Sequence, residues 1–267
     1  MSTLYKPFQP TLTLAGLTKF GLALNICASS PGLKNTVSAF VQVSTQQATL
    51  YRVLPDGTQA IYLSKSGALF SGAQIKVCDV PMYMYADEEY FGVWFCPGVL
   101  RRLFNIDLSE VAGQLVPADD LLNSELQRLT YQVYDKATFA ERVTLFESWL
   151  MTRFHQVLNP KLEHALSLIL YLPERPSTFE KVSIIAEKIG VTSRHLNRLF
   201  LQNIGLNTKQ FINVIRAQQA CRTLFNQSKA KHLIDNELGY YDQAHCINEF
   251  KTYFGATPIN LVNQYTV

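Results

Sequence analysis

The sequence is short of charge and lacks the compact signatures that would announce an enzyme. Lys, Arg, Asp and Glu together make up 17% of its 267 residues, against roughly 25% in an ordinary globular domain. Its 13 glycines and 11 prolines are too few for a collagen-like or low-complexity chain. Five cysteines, Cys27, Cys78, Cys96, Cys221 and Cys246, form an odd set without a CxxC pair, which argues against a disulfide framework and against a zinc site. No GxGxxG, phosphate-binding loop, HExxH or Ser-His-Asp order is present, so no cofactor and no standard catalytic centre is implied. The most apolar stretch, from Leu12 to Cys27, is interrupted by Lys19, and its uncharged remainder from Phe20 to Ala28 is too short to span a bilayer. Ile26 stands where a lipoprotein cleavage site wants a small residue. This stretch is therefore read as an N-terminal strand or strand pair in a cytoplasmic protein with no membrane partner.

Apolar material, in contrast, is plentiful: 48% of the residues are hydrophobic, enough to build real cores, and the length favours two domains over one. Charge divides unevenly along the chain. Residues 1–159 carry 12 Lys and Arg against 13 Asp and Glu, whereas residues 160–267 carry 12 against 8. Up to about Pro97, β-branched and aromatic runs alternate with turn signals at Pro55-Asp56-Gly57, Lys65-Ser66-Gly67 and Ser71-Gly72, the pattern of a small antiparallel barrel or sandwich. The period then changes. Phe139, Val143, Phe146, Leu150, Phe154 and Val157 recur at spacings of 3 and 4, which predicts a helix. A shorter helix is predicted over Lys161 to Leu172, and the two prolines of Leu172 to Thr178 mark a boundary. The expected fold is α+β, with a β-rich, barrel-like domain and flanking helices over residues 1–172 and an all-α domain over residues 173–267.

The all-α part holds two similar units. Val182 to Ile204 reads as helix, Gly190, turn and helix, and residues 231–254 repeat this around Gly239. Alignment on the glycines pairs Leu196 with His245 and Phe200 with Glu249, and a second turn one residue longer pairs Phe200 with Phe250. Ser193 and Asp242 are candidate caps of the second helices. A continuous helix from Thr208 to about Gln227, about 30 Å long, separates the units, which is close to the roughly 34 Å repeat of B-DNA. Helix, turn and helix is also the geometry that seats a second helix in a major groove.

The stretch AEKIGVTSRHLNRLF, the pair Ile215-Arg216, GYYDQAH, Glu249-Phe250-Lys251, and Gly255 with Pro258 together resemble the DNA-binding domain of AraC/XylS-type bacterial transcription regulators over Val182 to Leu261. The N-terminal part is similar to a β-rich domain found ahead of it in one subgroup, through LPDG at 54–57, FGVWFCPG at 91–98 and VPADDL at 116–121. The resemblance implies base contacts from Arg194, Asn197 and Arg198 with His195 nearby, and from Gln243, Ala244, Ile247 and Asn248 in the second unit. Arg suits guanine, Asn and Gln suit adenine, and Ala or Ile suits a thymine methyl. Where many relatives carry Arg this chain has Asn248, and Asp235 stands in place of a small residue, so the first unit is expected to set most of the specificity.

Candidate phosphate contacts are Ser193, Lys209, Lys231 and Lys251, with Arg216, Arg222 and Lys229 as further cations, Arg216 alternatively pairing with Glu187. His245 is read as structural. The resemblance also implies double-stranded DNA as partner, a small-molecule effector or protein partner for the first domain, and RNA polymerase or a second copy of the chain as further candidates. Tyr83, Tyr85, Tyr90, Phe91, Trp94 and Phe95 either line an effector pocket or form the core. The helix from Phe139 to Leu158 either dimerises or packs on the β-domain. Cys96, beside the start of a helix with Arg101 and Arg102 one turn on, is the one candidate for thiol-based alkyl transfer.

Overall fold

Thr13 accepts a hydrogen bond from the amide of Gly16 and Gly21 closes the same turn, so that the apolar stretch beginning at Leu12 opens as a helix, α1 (Leu14–Phe20), and only then becomes a strand, β1 (Leu22–Cys27). The expected strand pair is thus a helix and a strand, because a capping threonine and a closing glycine bracket one short turn of chain. These features belong to a computed structural model that describes residues 5–45, 49–82, 89–118, 124–153, 159–170, 181–226 and 240–265.

Seven further strands follow: β2 (Val37–Thr45), β3 (Thr49–Val53), β4 (Gln59–Ser64), β5 (Gly67–Ser71), β6 (Cys78–Met82), β7 (Glu89–Phe95) and β8 (Leu115–Pro117). Six of the eight form one sheet in the order β1-β2-β7-β4-β5-β8, and β3 pairs with β6 in a separate ribbon. Every pairing is antiparallel. The barrel-like expectation resolves into an open sheet, since β1 and β8 lie at its two edges and do not pair with each other. Alternation along the strands sorts side chains to two faces. Phe40, Ile61, Leu63, Phe91, Val93 and Phe95 join one core cluster, while Ala39, Val41, Ala60 and Trp94 join another.

The first of these faces is covered by α3 (Ser124–Tyr134) and α4 (Phe139–Met151), which follow a short helix, α2 (Val99–Phe104). Phe146 and Leu150 of α4 are completely buried in that core, so α4 packs on the β-domain, as one of its two expected readings had it. Phe91 and Phe95 are core residues as well, whereas Tyr83 and Tyr85 lie outside the described residues. A buried polar knot fixes the helices to the sheet. Arg142 bonds Glu89 and, at 3.0 Å, the Gln42 side chain, and its guanidinium lies over the Tyr134 ring, 4.9 Å from the centroid.

The remaining helices are α5 (Pro160–Leu170), α6 (Val182–Lys188), α7 (Ser193–Ile204), α8 (Thr208–Asn226), α9 (Gln243–Phe254) and α10 (Pro258–Asn263). They share one core, to which α5 contributes Leu162, Ala165, Leu166 and Ile169. Among the described residues no helix is long and apolar enough to cross a membrane.

The helical part docks on the β-domain through α7, α8 and α9. Gln218, 2% exposed, accepts from the Phe8 amide and donates to the Pro55 carbonyl, both at 2.9 Å. Gln59 donates to the Ile204 carbonyl at 3.0 Å, and Val77 N–H to the Tyr253 carbonyl at 2.8 Å. The turn at residues 55–57 lies against α8. Asp56 accepts from the Thr58 amide and hydroxyl and from Gln9, an arrangement that holds the turn while burial pushes the carboxyl pKa up despite those bonds.

Gly57 has a φ of 75°, and a Cβ there would stand 2.6 Å from Cε2 of Phe211 on α8. Replacing Gly57 with alanine combines a left-handed backbone with an overpacked contact. It is expected to cost about 1–3 kcal/mol, read as a lower urea midpoint. An unchanged midpoint would show that the docked contact contributes nothing to stability.

Candidate nucleic-acid interface

Helices α7 and α9 each begin at a side-chain cap. Thr192 Oγ1 accepts from the amide of His195 at 3.2 Å, and Asp242 Oδ1 from the amide of His245 at 2.7 Å. The first cap is therefore Thr192 rather than Ser193, which is the first helical residue, because the hydroxyl one residue earlier reaches the free amide in the first turn. The second cap falls at Asp242, as the sequence suggests.

From these caps α7 and α9 run in register fifty residues apart, while Gly239 and the helix expected before it lie outside the described residues. Leu196 stands where Cys246 does, Phe200 where Phe250 does, and Gly205 where Gly255 does, the two glycines closing their helices with φ of 89° and 69°. Of the two alignments open in the sequence, the one pairing Phe200 with Phe250 is realised. Both phenylalanines are completely buried.

On the outer face of α7, Arg194 and Arg198 are exposed, with Ser193, His195 and Asn197 half-buried. Arg198 donates to Nδ1 of His195 at 3.1 Å. Asn197 Oδ1 accepts from the Thr208 amide at 3.2 Å and so satisfies a free donor at the start of α8. A bidentate pairing with adenine uses both the oxygen and the amide of an Asn side chain, and the oxygen of Asn197 is already engaged.

On α9, Gln243, Ala244, Asn248 and Lys251 are exposed and Ile247 is half-buried. The amide of Tyr241 donates to Nδ1 of His245 at 3.3 Å, and the ring of His245 meets the buried Tyr240 edge to face, which agrees with the structural reading of His245. The sequence singled out neither Tyr241, whose side chain is 91% exposed, nor Gln218. The latter carried a legible signal, a polar residue on the same helical face as Phe211 and Ile215.

The basic residues divide by what they touch. Lys209 is exposed on the first turn of α8. Arg222 donates to the Lys6 carbonyl and is committed to the N-terminal segment. Arg216 pairs with Glu249 through both its Nε, at 3.1 Å, and its Nη2, not with Glu187, since α9 and not α6 lies against that part of α8. Burial opposes the Arg216 charge, and the bonds and field of Glu249 outweigh it and raise its pKa. Lys229, Lys231 and Asp235 lie outside the described residues.

Cys96 is not set up as a nucleophile. Its thiol is oriented toward the Lys34 carbonyl, 3.8 Å away, and burial pushes its pKa up to about 12. Arg101 is taken by Asp107 at 3.4 Å and by the Gln202 carbonyl at 3.1 Å. With a free thiol near 8.5, alkylation of Cys96 by iodoacetamide at pH 8 is expected to run roughly a thousandfold slower than that of a free cysteine. Peptide mapping after timed labelling checks this, and labelling at the free-thiol rate would contradict it. Among the described residues no group of three His, Cys, Asp or Glu is placed to hold a metal ion.

Residues 185–264 match the helix-turn-helix domain family, and residues 26–117 match a domain of unknown function, DUF6597. Over 98 residues the chain is 28% identical to the lactose operon transcription activator of Staphylococcus xylosus, covering 37% of this chain and 34% of that protein. Over 100 residues it is 30% identical to an uncharacterized HTH-type transcriptional regulator of Haemophilus influenzae, covering 38% and 33% respectively. The chain thus spans about a third of the length of the curated relatives it matches. A crystal structure of ToxT from Vibrio cholerae O395 bound to (E)-4-(8-methylnaphthalen-1-yl)but-3-enoic acid aligns with 92% of this chain and 100% of its own, at 11% identity and a TM-score of 0.44.

Proposed function

We propose that this chain, which carries an AraC-type helix-turn-helix domain over residues 185–264 and a DUF6597 domain over residues 26–117, is a sequence-specific DNA-binding transcription regulator that seats α7 and α9 in successive major grooves. The observation that carries the reading is the fifty-residue register of two capped helices joined by α8. That helix has 19 residues and is therefore about 28 Å long at 1.5 Å per residue, near the roughly 34 Å between successive major grooves on one side of B-DNA.

In this reading Arg194 and Arg198 read base edges, with His195 and the amide of Asn197 beside them, and Gln243, Ala244, Ile247 and Asn248 face the second groove. Ser193, Lys209, Lys231 and Lys251 contact phosphates, which position the protein without reading sequence. Residues 173–267 form the DNA-binding part and residues 1–172 the regulatory part. An effector or protein partner of the regulatory part acts only if it binds two arrangements of the chain unequally, and the contacts of Gln59 with Ile204 and of Pro55 with Gln218 are where such a difference reaches α7 and α8.

Selection from a random DNA pool with the full chain tests the proposal. Enrichment of an asymmetric site with two elements about one helical turn apart supports it, and failure to enrich any site contradicts it.

A further inference from the structure

The fifty-residue register makes the two units chemically unlike where they face outward. Arg194 and Arg198 of α7 and Lys209 at the start of α8 correspond to Ala244 and Asn248 of α9 and Ile259 at the start of α10, so three cations are replaced by neutral residues, two of them apolar. Val191, in the turn before α7, corresponds to Tyr241, whose ring is almost entirely exposed on a turn held by the Tyr241 amide bond to His245 and by the Asp242 cap. Ile259 is 61% exposed. Lys251, in place of Leu201, is the one cation gained, and it lies in the last turn of α9.

An apolar face on a helix that enters a major groove has one apolar group to meet there, the 5-methyl of thymine. Gln243, exposed at the first position of the same helix, adds the side chain suited to adenine. A protein partner is the weaker occupant. Gln243, Asn248 and Lys251 interleave the apolar residues, whereas a stable protein interface needs a contiguous buried centre within about 800 Å² on each side. Moreover, α9 stands to its cap and its closing glycine as α7 stands to its own.

We propose that α9 recognises a thymine-bearing A·T element through Tyr241, Ala244 and Ile247, while α7 recognises a guanine-containing element through its arginines. The operator then has two halves of different chemistry. This rests on the DNA-binding reading and narrows it. Cation contacts to phosphate make binding fall with salt. Lys209 on one side and Lys231 and Lys251 on the other give both halves a salt dependence, whereas the contribution of the thymine methyl groups at α9 is insensitive to salt.

The test uses the full chain and its selected site, with every thymine of one element at a time replaced by uracil, which removes the methyl group alone. In the element opposite α9, affinity is expected to fall about fourfold for each buried methyl, by the same factor at two salt concentrations. Tyr241→Ala and Ile247→Ala are expected to weaken binding to the thymine probe and to bring the two probes together, and the high exposure of Tyr241 keeps at least that variant folded. Arg198→Ala identifies the other element by its lost specificity. If uracil changes nothing opposite α9, or if the difference survives in both variants, the inference is overturned. The DNA-binding reading then still stands on Arg198, and the apolar face is left to a protein partner. If no site is selected at all, both fall together.

Discussion

Glu249→Ala is expected to destabilise the protein by about 3–5 kcal/mol, the cost of stranding a buried charge by removing its partner. The side chains of Arg216 and Glu249 are only 12% and 9% exposed, they share two hydrogen bonds, and Arg216 lies 5.2 Å from the centre of the Tyr240 ring. The alanine variant would leave the guanidinium in that setting with the Asn213 side chain, at 3.2 Å, as a neutral partner. The position fifty residues earlier is Leu199, a core residue, so the fold accommodates an apolar side chain there. Replacing both members, Arg216→Met with Glu249→Leu, is accordingly expected to recover most of the loss, since buried ion pairs exchanged for packed apolar residues are often neutral or better. Urea unfolding of the two variants checks the pair. A single-variant loss below about 1 kcal/mol would place the ion pair among solvent-screened contacts of little weight.

Arg198→Ala carries the other large expectation. Loss of a bidentate contact to guanine removes about 1–3 kcal/mol of discrimination, or roughly five- to one-hundred-and-fifty-fold in relative affinity at one base position. The residue is exposed and bonded only to His195 within the described structure, so stability should be unchanged. Binding titrations against the selected site and its single-base variants separate two roles. Relaxed preference at one position marks base reading, while uniform weakening with a shallower salt slope marks a phosphate contact. Unchanged binding in both Arg194→Ala and Arg198→Ala would remove α7 from the interface.

The parts legible in the sequence are those set by neighbours a few residues apart. The cap Asp242 bonds an amide three residues on, as the sequence suggests, while the first cap falls at Thr192, one residue before the expected Ser193, and the 3.6-residue spacing of Leu196, Leu199 and Phe200 marks one buried face. The β-branched and aromatic runs between the turn signals at Pro55-Asp56-Gly57, Lys65-Ser66-Gly67 and Ser71-Gly72 are likewise a local pattern, although neither the strand order nor which aromatics form the core is written in it. Motif resemblance supplied the rest of the early reading, including the positions of α7 and α9 proposed to face DNA.

Contacts between distant segments decided the remainder. Arg216 meets Glu249 across 33 residues and Gln218 meets Phe8 across 210, and no local rule distinguishes Glu249 from Glu187 as the partner. The sequence left two alignments of the units open, and the position of the second cap against a shared core closed them on the fifty-residue register. It also offered Asn197 as a reader of bases, where the packing of α7 against α8 gives its oxygen to the Thr208 amide. Composition, periodicity and capping determined which helices and strands form and which faces they bury, because those depend on short-range sterics and hydrogen bonding. Which outward polar side chains are engaged within the fold, and how the turn at Pro55 grips α8, was decided only by tertiary packing, since a buried polar group must find whatever partner the fold brings within reach.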